Sequence, residues 1–366
     1  MKNKLFVFID GLQYEKGISK LSFLNEENSN RITPGIGFSN NIYPEMLCGK
    51  NPDEMGYFNE WSPHFKKNKK LSFVFRFLDM FRGSLYINAG IRKIILKKIF
   101  KIDYANIPFK YCHYFKPQGS HQFRDLPGDS LLNEYGFKIY DAFETGLKRR
   151  IRDFSIIDKL SNDLKDGDNY FLSLLDLDHS CHVFGSNSEE VDNHLAMIDS
   201  KLTILFDDFM KLDAENEIYL FSDHGMVDVH KDVFFDIESH IGNMHEDEYF
   251  YFVDSTYVRI WVFNNEKEDK ILNYLNSRDY GGIVSSSERE NFGLTNKDFG
   301  DLIFRANEGI MLAPNFYGGR SVKAMHGYDS SLPSQKAIFS KINNNNSLTL
   351  PSNSKGIYSY LKQILN

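Results

Sequence analysis

Six acidic or imidazole side chains stand where the chain leaves, or returns to, its most apolar segments. They are Asp10 in Phe-Ile-Asp-Gly-Leu, Asp178 and His182 in Leu-Asp-His-Ser-Cys-His-Val-Phe-Gly, Asp223 and His224 in Phe-Ser-Asp-His-Gly-Met, and His326 in Met-His-Gly-Tyr. Three carboxylates and three imidazoles supply two mixed N/O coordination spheres, a donor chemistry that suits zinc or a similar divalent ion. Asp178 and His182 are four residues apart, one turn of a helix or tight loop. Taken singly, each motif also reads as a capped turn or a salt-bridged surface pair, and Asp176 and His179 are decoys in the same stretch. Order and spacing together carry the signal.

Elements must bring these residues to one place. Leu5–Ile9, Tyr170–Leu177 and Glu217–Ser222 are short, rich in β-branched or aromatic residues, and each runs into Asp, Ser, Gly or His, which predicts strands. Their near-continuous apolar character predicts central strands covered on both faces. Ser188–Met210 predicts a helix, with Ser188 as N-cap, Glu189 and Glu190 in the first turn, and Val191, Leu195, Ile198, Leu202, Leu205 and Phe209 at helical spacing. Strand, long helix and strand in succession imply a parallel sheet, whose sites form beyond the carboxyl ends of the strands. Phe250–Phe263 predicts a hairpin or edge element, Ser354–Leu365 a C-terminal helix, and the Asn run at 343–346 a loop. The expected fold class is α/β, a central, mostly parallel sheet sandwiched by helices and built from residues 1–59 and 150–366. Residues 60–149, basic, aromatic and irregular, are expected to form an inserted cap.

Composition narrows the classes. Over 366 residues, 42% apolar and 25% charged residues exclude a disordered, collagenous or low-complexity chain. Cys48, Cys112 and Cys181 make neither a disulfide framework nor a zinc-finger pattern. No apolar run reaches the length of a membrane span. The segment Leu5–Ile9 is too short for a signal-peptide core, which predicts a cytoplasmic protein. The net charge of −7 hides an asymmetry: from Lys66 to Lys110 twelve Lys/Arg face two Asp, a net +10, whereas the other 31 basic and 48 acidic residues carry −17. Arg92, Lys93, Lys97 and Lys98 interleave with Ile91, Ile94, Ile95, Leu96, Ile99 and Phe100, the pattern of a basic amphipathic helix suited to peripheral contact with an anionic membrane. The competing reading is a solvated lid. Nucleic acid is not an expected partner of an acidic body without a nucleic-acid-binding fold.

Asp-Gly after the first strand, Asp-x-x-x-His-x-x-Gly, Ser-Asp-His-Gly-Met and a late His-Gly-Tyr resemble the alkaline phosphatase superfamily, and within it the nucleotide pyrophosphatase/phosphodiesterase branch (type I phosphodiesterases). The resemblance covers about residues 4–59, 168–228 and the stretch around His326. It implies an alkaline-phosphatase-like core. It implies a nucleophile ten residues before a Gly, which from Gly49 is Ser39. It implies two divalent ions, most simply Zn²⁺, one held by Asp178, His182 and His326, the other by Asp10, Asp223 and His224 with the Ser39 oxygen facing it. It also implies a side-chain amide on a phosphate oxygen, for which Asn59 is nearest, one position out of register. The family's aromatic-Pro-Asn after the nucleophile is Asn40-Asn41-Ile42 here, and the Gly before the second-site His is Cys181.

The chemistry so implied is hydrolysis of a phosphodiester or pyrophosphate through a phosphoseryl-type intermediate at Ser39. Substrates are phosphorylated small molecules, or lipid- or glycan-linked phosphates if the basic segment touches the inner membrane face. A sulfatase would need x-Pro-x-Arg after the nucleophile, which is absent, and a phosphoglycerate mutase or phosphopentomutase different surroundings. A phosphoryl-group transferase shares every catalytic residue, and a non-catalytic binder of phosphate ligands is the alternative outside enzymes.

Overall fold

The computed structural model describes residues 3–64, 69–80, 90–99, 106–118, 123–142, 152–318, 321–343 and 347–366. The expectations for Lys66, Phe100, the boundary between 149 and 150 and most of the Asn run at 343–346 lie outside them.

Two compact units emerge, one of Met1–Met55, His121–Val229 and Val322–Asn366, the other of Gly56–Ser120 and His230–Ser321. This division differs from the expected cap of 60–149. Residues 138–140 join the large sheet of the first unit, and residues 230–321 build a sheet of their own.

The first unit is organised by a six-stranded sheet in the order Ser29–Ile32, Ala337–Ile342, Glu217–Phe221, Lys4–Ile9, Tyr170–Leu174, Lys138–Tyr140. The last four run parallel, and Ala337–Ile342 pairs antiparallel with both its neighbours. The Lys4–Ile9 strand shows why its sequence lacks alternation. Leu5, Val7 and Ile9 pack in one core with Val191, Leu195, Ile198 and Leu202 of the Glu189–Leu212 helix. Phe6 and Phe8 pack in another with Ile42, Met46 and Leu47 of the Ser39–Cys48 helix and with Ile357 and Leu361. Both faces of the strand are therefore buried, as parallel sheets require.

The second observed strand is shorter than Tyr170–Leu177, because a helix, Asp176–Phe184, starts at Asp176. The helix has no cap from Leu175, the residue before it. The fully buried Asp153 takes that role from a distance: its carboxylate accepts the amides of Leu175 and Asp176 at 3.0 and 2.7 Å, while Asp176 accepts the amide of Asp153 at 3.0 Å. The long helix follows with Ser188 as N-cap, accepting from the Val191 amide, and the C-terminal helix spans Ser354–Leu365.

In the second unit, Tyr249–Val253 and Tyr257–Val262 form the expected hairpin and continue into a four-stranded antiparallel sheet with Leu302–Ala306 and Gly281–Ile283. Buried Arg259 donates to Asp254 at 3.0 Å and to the Trp61 carbonyl at 2.9 Å, so its own charge is buried with a partner. Among the described residues no helix is long and apolar enough to cross a membrane.

Candidate active site

Three parallel strands deliver three carboxylates at their carboxyl ends, and all lie in the first unit. Asp10 follows Ile9 directly, its amide still bonded to the Leu174 carbonyl of the neighbouring strand at 2.9 Å. Asp223 follows the Glu217–Phe221 strand after Ser222, whose hydroxyl donates to the Leu12 carbonyl and accepts the Ile338 amide. That leaves Ser222 a structural part. Asp178 sits in the first turn of the Asp176–Phe184 helix, and His182 one turn later.

The carboxylates and imidazoles converge in two groups. Around Asp178 Oδ1 lie His182 Nε2 at 3.3 Å and His326 Nε2 at 3.8 Å. His224 Nε2 stands 3.2 Å from Asp223 Oδ2 and 3.6 Å from Asp10 Oδ1. The rings of His224 and His326 stack with centroids 3.6 Å apart, so the groups touch. His224 indeed has a ligand atom within 4.8 Å of those of Asp178 and His326, as well as completing the set with Asp10 and Asp223.

Backbone carbonyls aim two of the imidazoles. His182 Nδ1 lies 2.7 Å from the Ala324 carbonyl and His224 Nδ1 lies 3.0 Å from the Gly225 carbonyl. Placing the proton on Nδ1 leaves the Nε2 lone pair facing the carboxylates, the arrangement of metal-binding histidines. Among the described residues, Asp178 Oδ1, Asp223 Oδ2 and His326 Nδ1 are buried and find no hydrogen-bond partner. Orphaned carboxylate oxygens beside imidazole lone pairs fit divalent cations, whose charge and coordination satisfy both.

Electrostatics agree. Burial, then the charges of Asp223 and Asp178, push the Asp10 carboxyl well above the ordinary range. Burial opposes ionisation of Asp178 too, but the imidazoles of His182, His326 and His224 overcome it and hold its carboxyl below the usual range. Burial lowers His182, yet Asp178 beside it carries its pKa upward. His326 is driven well down by burial and by His224 against it.

Ser39 opens the Ser39–Cys48 helix. Its Oγ is 3.1 Å from His224 Nε2 and 3.4 Å from Asp10 Oδ1. The helix N-terminus adds partial positive charge beside that hydroxyl, favourable to a phosphate. Four residues on, the buried Tyr43 hydroxyl donates to Asp10 Oδ2 at 3.1 Å while its ring stacks on Phe123. Sequence reasoning missed Tyr43, although the i,i+4 spacing from Ser39 puts both on one helix face.

Two glycines explain the motifs they sit in. Gly11 has φ +71° and donates its amide to Asp223 Oδ1 at 3.2 Å, and a Cβ there would lie 3.2 Å from Asp178 Cβ. A Cβ on Gly225 would meet the Ser334 carbonyl oxygen at 2.1 Å. The glycine of Ser-Asp-His-Gly is therefore a packing requirement.

Asn59 lies in the second unit. Its amide nitrogen donates to Asp254 at 2.8 Å, and its oxygen accepts the Trp61 amide at 3.0 Å and the Tyr317 hydroxyl at 2.6 Å. The decoys are placed as expected: Asp176 staples a helix start and His179 is exposed.

The profile of the type I phosphodiesterase / nucleotide pyrophosphatase family matches residues 85–329, well over half of the chain. The chain belongs to this family. The match includes Asp178, His182, Asp223, His224 and His326, and begins after Asp10, Ser39 and Asn59. Type I phosphodiesterases lie within the alkaline phosphatase superfamily, as the motifs implied. No curated protein matches the chain in sequence. Among solved structures, an inactive variant of murine ectonucleotide pyrophosphatase/phosphodiesterase 5 in complex with AMP is similar with a TM-score of 0.63 at 16% identity, covering 100% of this chain and 95% of that one. The human ectonucleotide pyrophosphatase/phosphodiesterase 5 is similar at TM-score 0.61 and 15% identity, with the same coverage. At such identity the likeness establishes a shared fold. The family places the chain among phosphodiesterase/pyrophosphatase hydrolases.

Proposed function

We propose that this chain hydrolyses a phosphodiester or pyrophosphate through Ser39. The observation that carries the reading is the position of Ser39 Oγ, at a helix start and 3.1 Å from His224 Nε2 and 3.4 Å from Asp10 Oδ1. Attack by Oγ on phosphorus forms a phosphoseryl-type ester and breaks the bond to the leaving oxygen. Water then cleaves that ester and restores the serine. Asp178, His182 and His326 would hold one divalent ion and Asp10, Asp223 and His224 a second. Two such ions, Zn²⁺ by the donor set, would supply a lowered pKa for the serine hydroxyl and compensation of negative charge. The Nδ1 contacts of His182 and His224 keep their Nε2 atoms turned inward, and Tyr43 holds the Asp10 carboxylate in place.

Ser39→Ala tests the reading. Hydrolysis of an aryl phosphodiester by the zinc-loaded protein should fall by a factor on the order of 10³ or more. Elemental analysis should still find close to two transition metals per chain. Retention of more than a few per cent of activity moves the nucleophile elsewhere. Fewer than one metal per active wild-type chain removes the two-ion site, and metal-dependent ligand binding with no turnover leaves a phosphate-binding protein.

For the substrate, the reading extends to lipid- or glycan-linked phosphodiesters on the strength of the +10 charge between Lys66 and Lys110, while Asn40-Asn41-Ile42 in place of the family's aromatic-Pro-Asn argues against a nucleotide-binding mode. Nucleotides are the second reading, supported by the family's name and by the AMP-bound relative. Relative kcat/KM on nucleotide pyrophosphates and on lipid-linked pyrophosphates decides between them, and product analysis with an added alcohol acceptor separates hydrolase from transferase. A cytoplasmic location goes with this reading, and cell fractionation tests it.

A further inference from the structure

We infer that the second unit carries a docking surface for an anionic lipid bilayer, formed by the Lys69–Asp79 helix with Met80 and by the Ile91–Ile99 helix. This inference does not depend on the active-site reading. The first helix buries Phe75 and Leu78 and leaves Phe73 75%, Phe77 53% and Met80 77% exposed. Positions 73, 77 and 80 recur at helical spacing, so they form one apolar stripe on the side away from Phe75 and Leu78. A soluble surface scatters such residues singly. Here five of the twelve large exposed apolar side chains among the described residues fall between 73 and 94.

The second helix points the same way. Arg92 is turned inward, donating to the Ile107 carbonyl at 2.7 Å and lying over the Phe109 ring. Lys93, Lys97 and Lys98 are exposed, as is Ile94 at 55%. Both helices are tied to the same 3₁₀ segment, Phe109–Tyr114, since the Lys110 amide donates to Asp79 Oδ1 at 3.3 Å and Arg92 covers Phe109. Apolar stripe and lysines therefore belong to one region.

Charge selects the occupant. The stretch from Lys66 to Lys110 carries +10 in a chain whose remainder carries −17. A second copy pairing through the same stretch about a two-fold axis would meet like charge. Phenylalanine and methionine with flanking lysines match a membrane interface, where apolar side chains enter the acyl boundary and ammonium groups stay among anionic headgroups. The helix is far too short to span, so the contact is peripheral.

Co-sedimentation of the full chain with vesicles tests this, using phosphatidylcholine alone and phosphatidylcholine with phosphatidylglycerol. Binding is expected only to the anionic vesicles, and to weaken with salt. Lys93→Glu with Lys97→Glu and Lys98→Glu should weaken it about a hundredfold. Phe73→Ser with Phe77→Ser should weaken it about tenfold or more at unchanged charge, with aryl phosphodiester hydrolysis and melting temperature as fold controls. Phe73→Trp should shift its emission to the blue with vesicles, because Trp61 and Trp261 are already buried. No binding to anionic vesicles, or binding indifferent to both sets of substitutions, overturns the proposal. So does capture of an oligonucleotide, or self-association lost in Phe73→Ser/Phe77→Ser, without vesicle binding.

Discussion

Replacing Gly11 by Ala tests the geometry of the site through the backbone, without touching a ligand. Gly11 has φ +71°, the left-handed region, where a Cβ costs about 1–2 kcal/mol. The new Cβ would stand 3.2 Å from Asp178 Cβ and 3.3 Å from its Cα, tighter than ordinary van der Waals contact. Asp178 would have to retreat by a few tenths of an ångström, at a cost of about another 1 kcal/mol. The sum, about 2–3 kcal/mol, corresponds to a fall of roughly 5–10 °C in melting temperature for a unit of this size. The stabilisation given by added Zn²⁺ should shrink as well, because the displaced carboxylate is one shared by His182 and His326. Thermal unfolding of wild type and Gly11→Ala, with chelator and with Zn²⁺, measures both effects. A melting temperature within about 1 °C of wild type refutes the strain argument. A lowered melting temperature with an unchanged Zn²⁺ increment refutes the role of Asp178 as a ligand.

Burial raises the Glu45 carboxyl from 4.5 to about 8, so the folded state holds a proton that the unfolded chain releases. The stability this contributes is full below pH 4.5 and is lost as pH rises through 8, about a few kcal/mol in all. Glu45→Gln should flatten melting temperature against pH across that window and be the more stable protein at pH 8–9, and an unchanged slope would refute the assignment. Tyr43→Phe keeps the stack on Phe123 but removes the hydrogen bond to Asp10, so Zn²⁺ affinity by chelator competition should fall roughly 10-fold or more. Asn59→Ala strips partners from Asp254, Trp61 and Tyr317 and should cost roughly 2–3 kcal/mol in urea unfolding. Loss of kcat at unaltered stability would instead return Asn59 to the phosphate.

The large sheet was legible because its strands obey local rules. Leu5–Ile9 and Glu217–Phe221 are apolar on both faces, and both faces have helices against them. The Ser188 cap and the 3.6-residue repeat that follows it are equally local. What the sequence hid is non-local. The end of the Tyr170–Leu174 strand is fixed by Asp153, more than twenty residues upstream, through hydrogen bonds to Leu175 and Asp176. The division into units was hidden for the same reason, since Lys138–Tyr140 pairs with the Tyr170–Leu174 strand and Asn59 joins Asp254 and Tyr317.

The site shows a sharper version of that contrast. Residue types and order named six acidic and imidazole positions, and the sheet brings them together because each stands just past a strand end or on the helix that follows one. The sequence could not say which atom of each ring faces inward. That depends on the carbonyls of Ala324 and Gly225, which carry no side-chain signature yet fix the Nδ1 contacts of His182 and His224. Nor could it show that His224 reaches both groups, because the stacking on His326 joins positions about a hundred residues apart. The glycines occupy middle ground. Gly11 and Gly225 are visible as letters in Asp-Gly and Ser-Asp-His-Gly, but their necessity lies in Asp178 and Ser334, which stand where a Cβ would go. A motif of this kind is thus a record of distant atoms, and its glycines mark the places where the chain can least accept a side chain.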